Sequence, residues 1–278
     1  MNEPRDAAEQ IEISLLLEAI FQRYGYDFRD YARASVERRL GQFLQESGCH
    51  SLGEVTSRVL REPAFFHHLL PYFSVCVTSL FRDPFIYEAL RDKVAPVLRT
   101  WPYFKVWHAG CATGEEVYSM AILLREEGLL ERAMLYGTDI NQAALETGKA
   151  GVYSLDILRK GSQNYLKAGG KGSLADYYRA AYDAGVMNAS LGTRITFARH
   201  NLAMDKSFGE MQLIVCRNVL IYFNQDLQDL VLKLFLESLD HGGFLCLGDK
   251  ETLAFSAVAD DFLPVDERAR IYKKRVRR

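Results

Sequence analysis

The sequence predicts an α/β fold: a mainly parallel sheet with helices on both faces, preceded by an all-helical N-terminal domain and interrupted by a small antiparallel β insertion. Three observations predict it. From about residue 104 short apolar runs alternate with helix-length segments, the pattern of strand–helix units. Residues 11 to 75 instead carry apolar residues at helical spacing. Residues 152 to 193 break the later rhythm with a glycine-rich turn and a run of aromatics.

The elements follow in order. In DYARASVERRLGQFLQESG, Ala32, Val36, Leu40, Phe43 and Leu44 make one apolar stripe and Gly48 is a stop signal. On a helical wheel Arg38 lies opposite that stripe, and Arg33 and Arg39 flank it. FKVWHA reads as the first strand, followed by a helix over 115–127. AMLYGTD reads as the next, followed by a helix over 141–150. LKAGGKGS signals a turn, ADYYRAAY has strand-like aromatics, and RITFA resumes the main sheet. QLIVC, a helix over 226–239, GFLCLG and RIYKKR complete it. The expected domains are 1–77, helical, and 78–278, with the insertion at about 152–193.

Composition narrows the function. Of 278 residues, 49% are hydrophobic and 25% charged, which is ordinary for a globular chain. A net charge of -2 argues against a protein that coats nucleic acid, and the locally basic end KKRVRR reads as a solvated terminus. Five cysteines, Cys49, Cys76, Cys111, Cys216 and Cys246, form no CxxC pair. That suits a reducing compartment and gives neither a disulfide framework nor a metal site. No apolar run approaches the roughly 18 residues that span a bilayer. A cytoplasmic protein without membrane insertion is therefore expected, and its expected state is a monomer.

The chemistry concentrates in WHAGCATGEEVY, residues 107–118. It is a strand-to-helix turn whose small residues, Ala109, Gly110, Ala112 and Gly114, let a ligand approach the backbone. Asp139 ends the following strand, where such folds place an acid that accepts hydrogen bonds from ribose hydroxyls. Together these predict a nucleoside cofactor. Glu115 and Glu116 stand in the first helical turn, where carboxylates stabilise a helix by about 0.3–1 kcal/mol. They would repel a phosphate in that place. S-adenosylmethionine has no phosphate and carries a sulfonium and an ammonium, so the acidic turn suits it and disfavours NAD or ATP.

VTSLFRDP, VWHAGCATGEEVYSMA, YGTDIN, ARHNL, IVCRNVLIYF and HGGFLCLGDKETL, in this order, resemble the successive motifs of CheR-type methyltransferases. These enzymes esterify glutamates of bacterial chemoreceptors. The resemblance spans nearly the whole chain and implies a Rossmann-like S-adenosylmethionine-dependent methyltransferase domain. Carried over by position, it implies that Thr78, Arg82, Glu116, Asp139, Asn201, Leu202, Arg217 and Asn218 contact the cofactor, with Gly110 in its turn. It places Arg82 and Tyr222 nearest the reacting methyl. The departures are Cys76, where asparagine is usual, His108, where serine is common, and GDKE, where GHSE is frequent.

A glutamate side chain is ionised at neutral pH, so its methylation needs alignment rather than a general base. Arg82 and Tyr222 are accordingly assigned to positioning. The resemblance also implies partners: the helices of a methyl-accepting receptor, facing the arginine-bearing N-terminal helix, and a receptor C-terminal peptide at the β insertion by strand addition. Two other readings stand beside this one: a methyltransferase for another acceptor, and a non-catalytic module that binds S-adenosylmethionine.

Overall fold

The computed structural model describes residues 3–74 and 78–276; Cys76 lies outside them. The chain forms two compact units, Met1–Val75 with Ile221–Gln228, and Cys76–Leu220 with Asp229–Arg278.

The first unit is built on helices α1 (Glu3–Tyr24), α2 (Arg33–Ser47), α3 (Leu52–Arg61) and α4 (Pro63–Phe73). α2 stops at Gly48, whose φ of 71° is the left-handed conformation that favours glycine. Val36, Leu40 and Phe43 of the expected stripe are buried, while Leu44 is only partly covered. Arg38 is exposed, as the wheel requires. Arg39 corrects the wheel: it is 5% exposed, its Nη1 donates to the Phe73 carbonyl at 2.6 Å, and its guanidinium lies 4.4 Å from the centre of the Tyr222 ring. Arg33 is half-buried and donates to the side chain of Gln10. For Arg39 the reason is Phe73 at the end of α4 together with the returning segment Ile221–Gln228, which widens the covered face of α2. It is fastened by Ala32 N–H to the Tyr222 carbonyl at 2.8 Å and by Asn224 N–H to the Asp30 carbonyl at 2.9 Å.

The second unit carries strands β1 (Phe104–Ala109), β2 (Ala133–Asp139), β3 (Val152–Ser154), β4 (Tyr178–Ala181), β5 (Ala184–Met187), β6 (Ile195–Arg199), β7 (Met211–Cys216), β8 (Leu239–Leu247), β9 (Phe262–Asp266) and β10 (Ile271–Lys274). Its helices are α5 (Pro84–Ala89), α6 (Ala95–Leu98), α7 (Glu115–Glu126), α8 (Gln142–Ala150), α9 (Leu155–Lys167), α10 (Ala189–Gly192) and α11 (Gln225–Ser238), the last starting in the first unit's segment. Seven of the described strands form one sheet in the order β6-β2-β1-β7-β8-β10-β9. β6, β2, β1, β7 and β8 run parallel, and β10 and β9 add antiparallel at one edge. All of β7 and all but Lys105 of β1 are buried, which is why these strands read as continuous apolar runs. β9 was not expected, since FLPVD carries a proline; the edge position tolerates it.

The insertion is a three-stranded antiparallel sheet, β3-β5-β4, as expected. Between its first two strands it also holds α9, which the glycine-rich turn masked. Ser154 caps α9 by accepting from Ile157 N–H, and Leu158 and Tyr165 bury its inner face. The basic end is partly structural: Lys274 donates to the Leu236 and Leu239 carbonyls, where α11 passes into β8. Among the described residues no helix is long and apolar enough to cross a membrane, and none forms a metal-holding cluster.

Candidate functional site

The carboxyl ends of β1, β2 and β7 converge in the second unit. The turn after β1 is anchored by Gly110 and Cys111 N–H groups, both donating to the Thr138 carbonyl at 2.8 and 2.9 Å. Gly110 has φ of 74°, and a Cβ there would stand 2.4 Å from a Val219 methyl, so only glycine fits. Ala112 also takes a left-handed φ, 48°. Its N–H donates to Asp139 Oδ2 at 2.9 Å, while Asp139 Oδ1 accepts from Asn141 N–H at 2.8 Å. Burial pushes the Asp139 carboxyl above its ordinary value, against those backbone donors. Each of its oxygens keeps acceptor capacity for a further hydroxyl.

The two glutamates of the turn separate. Glu115 is 2% exposed, accepts from the Thr113 hydroxyl at 2.6 Å, and has its carboxyl raised by burial. Glu116 approaches His108 Nδ1 and accepts from Arg217 Nη1, both at 3.0 Å. Burial opposes its ionisation, but the His108 hydrogen bond and the Arg217 charge outweigh burial and hold the carboxyl below its ordinary value. Arg217 Nη2 donates to Asp83 Oδ2 at 2.7 Å and to the Arg82 carbonyl at 2.9 Å. The acidic turn therefore faces a cation from the turn after β7, which sequence spacing did not reveal. Asp139, Glu116 and Asp83 still outnumber Arg217 and Arg82, the latter with its Nε 3.9 Å from Asp83 Oδ2.

Asn201 is buried; its Oδ1 accepts from Ala203 N–H at 3.0 Å, and its Nδ2 has no partner among the described residues. Leu202 is buried beside it in sequence. Asn218 holds a left-handed φ of 60° immediately after Arg217. Thr78 and Arg82 line an open cavity of about 240 Å³ with Ser79, Ile157 and Lys160. Tyr222 belongs to the first unit, with its ring against the Arg39 guanidinium.

Two contributors escaped the sequence reading. Lys160, from α9, brings a second cation to the Arg82 cavity. Glu251 is buried, and its carboxylate accepts four backbone N–H groups, from Asn218, Val219, Leu220 and Gly248. The signal available for Glu251 was its place as the last residue of GDKE.

These residues fit S-adenosylmethionine: the acids suit a cation, Asp139 suits ribose hydroxyls, and the orphaned Asn201 amide is a buried donor without an acceptor. Comparison with known proteins agrees. The family model described as CheR methyltransferase, SAM binding domain, matches residues 76–269, and that of the CheR methyltransferase all-alpha domain matches 11–74. A Pseudomonas putida protein provisionally named methyltransferase Cher3 is 53% identical over 95% of this chain and 97% of its own length. The chemotaxis protein methyltransferase Cher2 of the same organism is 30% identical, covering 78% of this chain and 82% of its own. A Listeria monocytogenes chemotaxis protein methyltransferase is 27% identical over 82% and 85%.

Proposed function

The chain belongs to the CheR methyltransferase family, and from that premise we propose that it transfers a methyl group from S-adenosylmethionine to glutamate side chains of a methyl-accepting chemoreceptor. Relatives named chemotaxis protein methyltransferases support the receptor as substrate class. The observation that carries the acidic acceptor is the cavity beside Thr78, where Arg82 and Lys160 supply cations and Ser79 and Thr78 supply hydroxyls.

When bound, the cofactor supplies an electrophilic methyl on a sulfonium. The acceptor carboxylate is already ionised at neutral pH, so a carboxylate oxygen attacks as the carbon–sulfur bond breaks, and neither product needs a proton moved. Opposite charges cancel along this path, and a water-poor site favours it. Too tight an ion pair would blunt the nucleophile, so Arg82 and Tyr222 orient the acceptor. Glu116, Asp139, Asn201, Leu202, Arg217, Asn218, Thr78 and the Gly110 turn hold the cofactor. The protein acts as a cytoplasmic monomer on receptor helices. The insertion at 152–193, with its exposed β4 edge, is a second receptor contact.

The test is incubation with methyl-labelled S-adenosylmethionine and a receptor cytoplasmic fragment. Label released by mild base and mapped to glutamates supports the proposal; base-stable label on amines or nucleobases overturns the acceptor.

A further inference from the structure

The turn that follows β7 is held by one carboxylate. Glu251 Oε1 accepts from Val219 and Leu220 N–H, each at 2.8 Å. Its Oε2 accepts from Gly248 N–H at 2.6 Å and Asn218 N–H at 3.1 Å. Three successive N–H groups aimed at one point form an anion-binding concavity, here filled from within the chain. The arrangement is tight: a Cβ at Gly248 would stand 2.7 Å from Glu251 Oε2 and 2.9 Å from the Asn218 nitrogen.

This turn touches the cofactor region on two sides. Arg217 enters it and pairs with Glu116 and Asp83. Val219, within it, fills the space over Gly110 that a side chain there would need. Asn218, between them, holds a left-handed φ of 60°, which asparagine accepts more readily than most residues, and its N–H donates to the Glu251 carboxylate. We propose that Glu251 is a positioning residue for S-adenosylmethionine: by collecting the amides of 218–220 it sets Asn218 and Val219 against the Gly110 turn. The inference rests on the cofactor assignment and not on the glutamate acceptor, so either can fail alone.

Glu251→Gln is the sharp test. Four N–H groups need four acceptor sites, and an amide offers two on its oxygen while turning its own donors toward the other two N–H groups. Calorimetric affinity for S-adenosylmethionine and S-adenosylhomocysteine should fall about tenfold or more. In methyl-transfer assays the loss should appear in KM for the cofactor, with kcat at saturation within about twofold. Hydrogen exchange at the amides of Asn218, Val219 and Leu220 should accelerate in the cofactor-free protein. Glu251→Asp keeps the charge on a shorter arm: it should bind more tightly than Glu251→Gln but more weakly than the parent, and its affinity against the parent carries the test if Glu251→Gln does not fold. Unchanged affinity per folded molecule, whatever happens to Tm, would overturn the proposal. So would retained amide protection in Glu251→Gln, or no recovery in a folded Glu251→Asp.

Discussion

Arg217 donates from Nη1 to Glu116 Oε2 at 3.0 Å, across 101 residues of chain, with 2% of the arginine side chain exposed. The pair joins the turn after β7 to the first turn of α7, the two loops that carry the proposed cofactor contacts Gly110, Glu116, Arg217 and Asn218. Breaking it leaves a buried charge without its partner, which is where such pairs have their largest effect.

Arg217→Met should lower unfolding free energy by about 3–5 kcal/mol, measured by urea denaturation of the whole chain. Adding Glu116→Gln should return part of that loss, because the orphaned carboxylate is then gone. Additive losses in the double variant would mean that the two side chains do not act as a pair.

The same pair sets a pH dependence. Glu116 is held below its ordinary carboxyl value, so its contribution to stability is fully present above the unfolded value, about 4.3, and is lost as pH falls through the lower folded value. The stability difference between the parent and Glu116→Gln should shrink as pH is taken from about 6 to about 3. A difference independent of pH over that range would show that folding does not shift the Glu116 carboxyl, and one that grows as pH falls would show that it is raised rather than lowered.

Asp139→Ala should weaken S-adenosylmethionine and S-adenosylhomocysteine alike, by about 1.5–3 kcal/mol for a charge-assisted hydrogen bond. It also removes the acceptor for Ala112 and Asn141 N–H, so the loosened turn adds to the loss. Unchanged calorimetric affinity in a folded variant would place the ribose elsewhere.

Tyr222→Phe should lower kcat more than it lowers cofactor affinity, since its hydroxyl is assigned to alignment of the acceptor. Arg82→Ala should lower turnover as well. Full turnover in Tyr222→Phe would remove its hydroxyl from the alignment of the acceptor and leave the ring its packing against Arg39.

Arg38 and Arg39, neighbours in sequence, should part company on charge reversal. Arg38→Glu alters an exposed side chain, so the protein should fold normally and methylate receptor more slowly at low salt, the difference fading as salt rises. Arg39→Glu puts a carboxylate beside the Phe73 carbonyl and over the Tyr222 ring, and should lower thermal stability sharply. Equal receptor methylation by Arg38→Glu and the parent at low ionic strength would exclude this face of α2 from docking.

The sequence by itself determined the architecture. Apolar runs of strand length, separated by helices, point to a parallel sheet, because strands covered on both faces read as continuous apolar runs; five of the seven strands run parallel, and the central β1 and β7 are buried in this way. Gly110 and Gly48 were legible because backbone conformation is a local property and glycine answers it. The acids Asp139 and Glu116 were legible because their places follow from strand ends and helix starts. Tertiary structure decided the rest. That Arg217 neutralises Glu116, that Glu251 gathers the amides of 218–220, and that Arg39 is buried under Tyr222 are each contacts between residues tens to more than a hundred positions apart. A helical wheel knows one neighbour face, whereas α2 is covered also by a segment returning from residue 221. Periodicity reports how a chain meets water along its own axis. Which distant charge or carbonyl meets a given side chain is settled only when the chain closes on itself.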